Sequence, residues 1–178
     1  MKKKLGIVLL VIAVAVSLGL VPAASVGASP DPGIAGLWHL DEGSGTTASD
    51  SSGNGNDGTV NGTASWVSDQ WTGSALDLDG SSGYVGIPDP GTPNLDGFSE
   101  LTLEAWIYPD SVSGNQAIIS KYNNYGAFYT SYYLSLADDE VRIYVRQDNS
   151  NRAYKTTDSA DLTAGRGIMW RAAGMVPR

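Results

Sequence analysis

The sequence contains no cysteine and only one histidine, His39, in 178 residues. Without cysteine there are no disulfides and no cysteine nucleophile, so an exported domain would depend on packing or on a bound metal. A single histidine excludes a histidine-rich zinc site and leaves no convincing Ser-His-Asp triad; we expect His39 to pack at a sheet face. The net charge of −8 provides no basic face, which argues against a nucleic-acid partner.

A second long apolar run is also missing. The one such run, Leu5–Leu20, follows the positively charged Met1–Lys4 and precedes a small-residue cleavage site ending at Ala28. This order is typical of a secretory signal peptide, whereas an uncleaved membrane anchor is the alternative. We therefore predict a signal peptide at 1–28, a linker at 29–34, and a protein that is secreted or at the cell surface and makes no membrane contact after cleavage.

Helical periodicity is absent, and the composition favours strands. Glycine occurs 22 times, tyrosine nine times and tryptophan five times, as in short strands joined by tight turns. Leu101–Tyr108 and Val141–Arg146 alternate apolar and polar residues, which predicts strands with one buried and one wet face. Ten strands are predicted in all: Ala35–Leu40, Gly58–Val60, Ala64–Val67, Ala75–Leu78, Tyr84–Ile87, Leu101–Tyr108, Ala117–Lys121, Tyr132–Leu136, Val141–Arg146 and Ala153–Thr156. The fold class is therefore all-β, a sandwich or a barrel.

Three segments in order resemble the concanavalin A-like lectin/glucanase superfamily, in its laminin-G-like bacterial branch. They read WHLDEGSGTTASDSSGNGNDGTV, WTGSALDLDGSSGYVGIP, and FSELTLEAWIYPD followed by AIISK. The resemblance runs from Gly36 to about Arg166, so we expect the domain at 35–166. It implies a jelly-roll sandwich of two antiparallel sheets, usually a non-catalytic module of a larger secreted protein that often binds glycans and often holds calcium.

The last dozen residues depart from this resemblance. Family members carry a W-x-H-V-A strand followed by an aromatic residue and D-G, whereas Gly167–Arg178 reads GIMWRAAGMVPR. Reading each codon of this segment from its third base permits the family pattern. We therefore hypothesise that one base was lost near Arg166, that 167–178 is an out-of-frame tail, and that the jelly roll is incomplete at its C-terminus, with uncovered apolar faces and strand edges.

A calcium ion is the predicted cofactor. Oxygen-bearing side chains alternate around a glycine between Asp50 and Asn56, as they do in calcium loops. The predicted metal ligands are Asp50, Asn54, Asp57 and Asp79. The alternative interpretation is a pair of Asn-Gly or Asp-Gly turns whose side chains hydrogen-bond to their own backbone.

Aromatic residues are the predicted ligand-binding groups, because tyrosine rings can stack on sugars while hydroxyls and amides bind the sugar edges. The predicted ligand-binding residues are Tyr122, Asn123, Asn124, Tyr125 and Tyr129. The alternative is that half of the tyrosines in this region alternate into the core. Four tryptophans are interpreted as core or inter-sheet packing, with a binding platform as the alternative: Trp38, Trp66, Trp71 and Trp106.

Catalysis is not expected. Glucanase members of the superfamily use an E-x-D-x-E triplet, which does not occur here. We interpret Glu104 as lacking a second carboxylate two or four residues away on its strand and as hydrogen-bonding within the sandwich. The predicted function is that of a secreted, non-catalytic carbohydrate-binding or adhesion module whose partner is a glycan or a cell-surface polymer. The alternatives are the binding domain of a secreted glycoside hydrolase or sialidase, or a structural spacer with no small ligand.

Overall fold

The computed structural model describes residues 5–13, 33–68, 73–88, 95, 100–121, 131–138, 140–146, 152–156, 163–165 and 167–175. Within these residues the chain forms strands and no α-helix. These residues accordingly contain no helix long and apolar enough to cross a membrane. The strands are β1 Leu5–Ala13, β2 Ile34–Trp38, β3 Thr47–Ala48, β4 Gly58–Asn61, β5 Ser65–Val67, β6 Ala75–Leu78, β7 Tyr84–Gly86, β8 Glu100–Pro109, β9 Asn115–Lys121, β10 Ser131–Ala137, β11 Glu140–Arg146, β12 Arg152–Thr156 and β13 Ile168–Met175.

The strands form three antiparallel sheets. A six-stranded sheet has the order β13-β8-β1-β6-β5, and β2 also pairs with β1. A four-stranded sheet has the order β12-β11-β10-β9, and a three-stranded sheet the order β3-β4-β7. The predicted all-β fold is confirmed, and each of the ten predicted strands is present with ends that differ by two residues at most.

The core follows from the alternation seen in the sequence. On β8 the side chains of Leu101, Leu103, Ala105 and Ile107 are almost completely buried, with exposures of 1% or less. They form one cluster with residues of the other two sheets, among them Leu134, Leu136, Val141, Val145 and Ala48. The six-stranded and four-stranded sheets therefore share one hydrophobic core, as the two layers of a sandwich do.

His39 does not pack at a sheet face, so that expectation is wrong. Its side chain is exposed, whereas Trp38 and Leu40 on either side of it are buried. Because neighbouring side chains of an extended segment point in opposite directions, burial of these two large apolar residues leaves the histidine in water.

The apolar segment predicted as the signal-peptide core forms β1, in the middle of the six-stranded sheet. One edge of β1 pairs with β8, from Leu5 opposite Pro109 to Val11 opposite Glu104. The other edge pairs with β6 through residues 5–7 and with β2 through residues 10–13. In the full chain this segment therefore bridges strands that come from distant parts of the sequence.

The C-terminal segment that departs from the family pattern forms β13. It pairs with β8 from Ile168 opposite Ile107 to Met175 opposite Glu100, and it lies at the edge of the six-stranded sheet. Backbone pairing at an edge does not require a particular sequence. The hypothesis of an out-of-frame tail therefore stays a prediction about the gene.

Candidate functional site

Two large aromatic side chains are exposed on the outer face of β8. Trp106 is 41% exposed and Tyr108 is 45% exposed, whereas Ala105 and Ile107, which alternate with them, are buried. Residues two apart on a strand share a face and lie about 7 Å apart. The two rings therefore form a short aromatic row, which we call the β8 aromatic row. The interpretation of Trp106 as a core residue is wrong, because the alternation of β8 places it on the wet face.

The backbone neighbours of the β8 aromatic row follow from the strand register and from one nearby turn. Opposite Trp106 in the strand register stand Leu9 of β1 and Met169 of β13. Beside Tyr108 lies the turn that contains Gly165, whose backbone N–H donates to the Pro109 carbonyl at 2.8 Å. A Cβ added at Gly165 would come 3.6 Å from the Tyr108 hydroxyl oxygen, an ordinary contact distance, so the Gly165 turn lies directly beside the edge of this ring.

Glu104 lies on the same strand, two residues before Trp106, and is half-buried. Four positions before it, β8 begins with Glu100, so the interpretation of Glu104 as lacking a second carboxylate on its strand is wrong. Thr102, between the two glutamates, stands where the glucanase triplet carries its aspartate. The spacing of the two carboxylates thus resembles the catalytic pattern more closely than the sequence analysis allowed, while the central acidic residue is missing.

Asp50 organises the loop between β3 and β4. Its Oδ1 accepts hydrogen bonds from the backbone N–H groups of Leu37 (3.0 Å) and Ser52 (2.9 Å). Its Oδ2 accepts from the Ser52 hydroxyl (2.8 Å) and the Asn56 N–H (2.9 Å). Burial alone would raise the pKa of Asp50, but these four hydrogen bonds outweigh it and hold the pKa below its usual value.

The other polar residues of this loop fasten it to β2. The Asn54 side-chain amide donates to the carbonyls of Ile34 (2.8 Å) and Ala35 (3.2 Å), and the Asn56 amide donates to Ala35 at 2.9 Å. Asp57 Oδ1 accepts the N–H of Asp50 at 2.8 Å. These side chains therefore form hydrogen bonds with the backbone of the loop and of β2, as the turn interpretation predicts.

Asp79 has a similar role in a separate turn, between β6 and β7. The Thr63 hydroxyl and the backbone N–H groups of Gly83, Ser82 and Ser81 donate to its carboxylate. They hold the pKa of Asp79 well below its ordinary value. This carboxylate stabilises the turn that leads into β7.

The predicted calcium ligands are not gathered into one site. Asp50, Asn54 and Asp57 belong to the β3–β4 loop, whereas Asp79 belongs to the β6–β7 turn. Among the residues that the structure describes, no group of three or more Asp, Glu, His or Cys side chains could hold a metal. Because their carboxylates already accept backbone hydrogen bonds, the residues as arranged do not fit a calcium ion. Calcium stays a prediction from the resemblance.

The predicted tyrosine-rich ligand site lies outside the described residues. All five of its members fall within 122–130: Tyr122, Asn123, Asn124, Tyr125 and Tyr129. Tyr132, just beyond, is 3% exposed and belongs to the core, so at least one tyrosine of this region alternates inward as the alternative interpretation expected. The β8 aromatic row could have been found from the sequence, because the alternation of Leu101–Tyr108 already placed Trp106 and Tyr108 on the wet face.

A cavity of about 360 Å³ lies among β6, β7, β9 and β10. Its lining is mainly apolar and includes Trp38, Leu76, Ile119 and Tyr132. A sugar carries many hydroxyl groups, and an apolar cavity would leave them without hydrogen-bond partners. Carbohydrate chemistry therefore suits the open β8 aromatic row better than this cavity.

The strand pairing and shared core define the protein as an antiparallel β-sandwich. Residues 79–166 match the laminin-G family model of the concanavalin A-like lectin/glucanases superfamily. The resemblance stated from the sequence motifs is thereby confirmed for this segment, which includes β8 and its aromatic row. No curated protein and no solved structure matches the chain.

Proposed function

We propose that the protein is an exported, non-catalytic carbohydrate-binding module and that the β8 aromatic row is its binding face. The observation that carries the proposal is the exposure of Trp106 and Tyr108 side by side on one strand. Large aromatic side chains are usually buried, and contiguous exposed ones mark interaction surfaces. The match of this segment to a superfamily of lectins and glucanases supports the same conclusion.

The geometry suits an extended glycan. Each ring offers a flat apolar face to the C–H face of a sugar, while the Tyr108 hydroxyl and the Trp106 indole N–H provide hydrogen bonds at the ring edges. Rings about 7 Å apart along a strand form a row, so neighbouring units of one sugar chain can contact both. Half-buried Glu104 adds an acceptor at the end of the row. The proposed partner is therefore a glycan or a cell-surface polymer.

A glycan array probed with the full chain, followed by titration of the glycans bound, tests the proposal. Trp106→Ala and Tyr108→Ala should each weaken binding about five-fold, because a stacking contact of this kind contributes about 1 kcal/mol. Tyr84→Ala is the matched control: Tyr84 is 57% exposed but lies on β7 in the three-stranded sheet. Glycan binding that all three variants leave unchanged would refute the assigned face, and an array with no bound glycan would favour the structural-spacer alternative.

The non-catalytic part of the proposal needs its own test, because β8 carries two glutamates. Incubation of the full chain with each glycan it binds should release no new reducing ends. Release that disappears in Glu104→Gln would instead make the protein a glycoside hydrolase, with Glu104 as one of its two carboxylates. The binding-domain alternative is tested by sequencing the locus beyond the codon for Arg178, where it predicts a hydrolase or sialidase domain in the hypothesised restored frame.

A further inference from the structure

β1 lies in the middle of the six-stranded sheet, yet it belongs to the segment predicted to be removed as a signal peptide. The inference from this position rests on the export that is part of the proposed function. The predicted cut after Ala28 falls between β1 and β2. After that cut, only backbone pairing and packing would hold β1 in the sheet. Loss of β1 would expose unpaired N–H and C=O groups along β8 on one side of the gap and along β6 and β2 on the other.

The gap could not close by direct pairing of β8 with β6. Paired strands lie about 4.8 Å apart, so two strands that flank a missing one must move by about that distance to meet. Leu103 of β8 and Leu76 of β6 are both completely buried in the same cluster. A close-packed core does not tolerate shifts of this size. β6 and β8 therefore stay far enough apart to leave a slot for one strand between them.

We propose that this slot, bounded by β8 on one edge and by β6 and β2 on the other, is a strand-acceptor site. In the full chain Leu5–Ala13 fills it; once the leader is removed, the slot binds an extended apolar strand of a partner polypeptide. The chemistry of the occupant is set by what fills the slot here: nine residues, LGIVLLVIA, without a charge or a polar side chain. Binding adds a central antiparallel strand through main-chain hydrogen bonds on both edges.

Three features of β1 support a site specific for a strand rather than a general apolar surface. The strand is paired on both edges, with Ile7 opposite Ile107 of β8 and also opposite Leu76 of β6, and its register shifts after Ile7 on the β8 edge and after Ile12 on the β2 edge. Its pairing is antiparallel throughout. A continuous apolar sequence is what strands at the centre of a buried sheet carry. A partner strand must therefore match in direction, length and lack of charge.

The test uses the full chain with a specific protease site placed at residues 24–28. After cleavage, gel filtration should show the β1 fragment still bound, and hydrogen exchange should be slow at the backbone amides of β6 and β8 that face β1. The probe is a labelled LGIVLLVIA peptide with lysines at both ends, added in excess. It should replace the fragment, whereas the same peptide with proline at the Leu10 position should not, because Leu10 is paired on both edges away from the bulges and proline lacks the N–H.

Each result of the cleavage and peptide experiments either supports or overturns the proposal. Cleaved chain that loses its fragment yet keeps slow exchange at the β6 and β8 amides that face β1 closes its sheet unaided and overturns the proposal. Equal binding of the two peptides overturns it as well, because a sticky apolar surface would not distinguish them. A doubled mass after loss of the fragment assigns the slot to a second copy instead of a foreign strand. If the cleaved chain unfolds, recovery on adding the labelled peptide supports the proposal and failure to recover refutes it.

A pair of variants in the uncut chain provides an independent check. Leu10→Pro should accelerate exchange at the β8 amides that face β1 at least ten-fold, whereas Leu10→Val, which keeps the N–H and the preference for strand, should leave it nearly unchanged. Equal exchange in both variants would show that β1 does not pair in solution.

Discussion

At the scale of single residues, the hydrogen bonds of one partly buried carboxylate, that of Asp50, explain the shape of the β3–β4 loop. Asp50 accepts four hydrogen bonds, two on each oxygen, from three residues that lie on both sides of it in the chain. Each bond to a charged acceptor is worth more than a neutral one, and each would leave a donor unsatisfied if lost. One aspartate therefore fixes the loop against β2.

Replacing Asp50 by asparagine should destabilise the protein by about 2 kcal/mol at neutral pH, since an amide keeps one acceptor oxygen and turns the other into a donor. The folded protein holds the pKa of Asp50 below its ordinary 3.8, so its contribution is complete above that pH and is lost as the pH falls through the lower, folded-state value. The difference between wild type and Asp50→Asn in urea unfolding should therefore narrow under acidic conditions. The exposed Asp41→Asn is the control, and an equal loss in both variants would contradict the role of Asp50.

Gly62 is required for two separable reasons. It adopts φ +68°, and a Cβ there would come 1.9 Å from the Ser82 carbonyl oxygen. Gly55 adopts φ +75° with open space around it, so its replacement by alanine tests the backbone cost alone, about 1 kcal/mol. Gly62→Ala should cost at least twice as much in thermal unfolding. Similar losses for both would show that the turn yields to the added methyl group.

At the scale of elements, β8 was the most predictable strand because its period is visible in the sequence. Leu101, Leu103, Ala105 and Ile107 face the core as predicted. Leu103→Ala should destabilise the fold by about 3 kcal/mol, because a fully buried leucine leaves a cavity when truncated. Trp106→Ala on the outer face should change stability by less than about 1 kcal/mol. Comparable losses on the two faces, measured by denaturant unfolding, would contradict the assignment of inside and outside.

Other elements could not be predicted, for identifiable physical reasons. β3 has only two residues, Thr47 and Ala48, too few to show a period. β1 is continuously apolar, a pattern that a buried strand shares with a leader segment. The calcium ligands were chosen by the spacing of their oxygens, but spacing does not show that the backbone has already used those oxygens. The sequence placed Trp106 on the correct face, whereas the tendency of tryptophan to be buried pointed the other way.

The β3–β4 loop as an element gives calcium a clear test. Because Asp50 and Asp57 accept backbone hydrogen bonds, the geometry predicts that millimolar calcium and a chelator leave the midpoint of thermal unfolding of the full chain unchanged. A calcium site predicts instead a midpoint that rises with calcium concentration, since a ligand bound only by the folded state stabilises it. Magnesium at the same concentration controls for a general effect of divalent cations on a chain of net charge −8.

At the scale of the whole molecule, the sandwich joins segments that are far apart in the chain. The six-stranded sheet contains residues from both ends of the described sequence, with β1 and β13 on opposite sides of β8. The antiparallel strands and the shared core could be predicted from alternation and turn residues. The order of the strands could not, because pairing between distant strands leaves no local signal in the chain.

The position of Leu9 directly across from Trp106 has one more consequence. The Cα atoms of register partners lie about 5 Å apart, so the strand in the slot runs directly beside the strand that carries Trp106 and the proposed glycan face. Two ligands that share a boundary change each other's affinity by the same factor. Together the two proposals predict that the affinity of the protein for a glycan depends on which polypeptide strand occupies the slot.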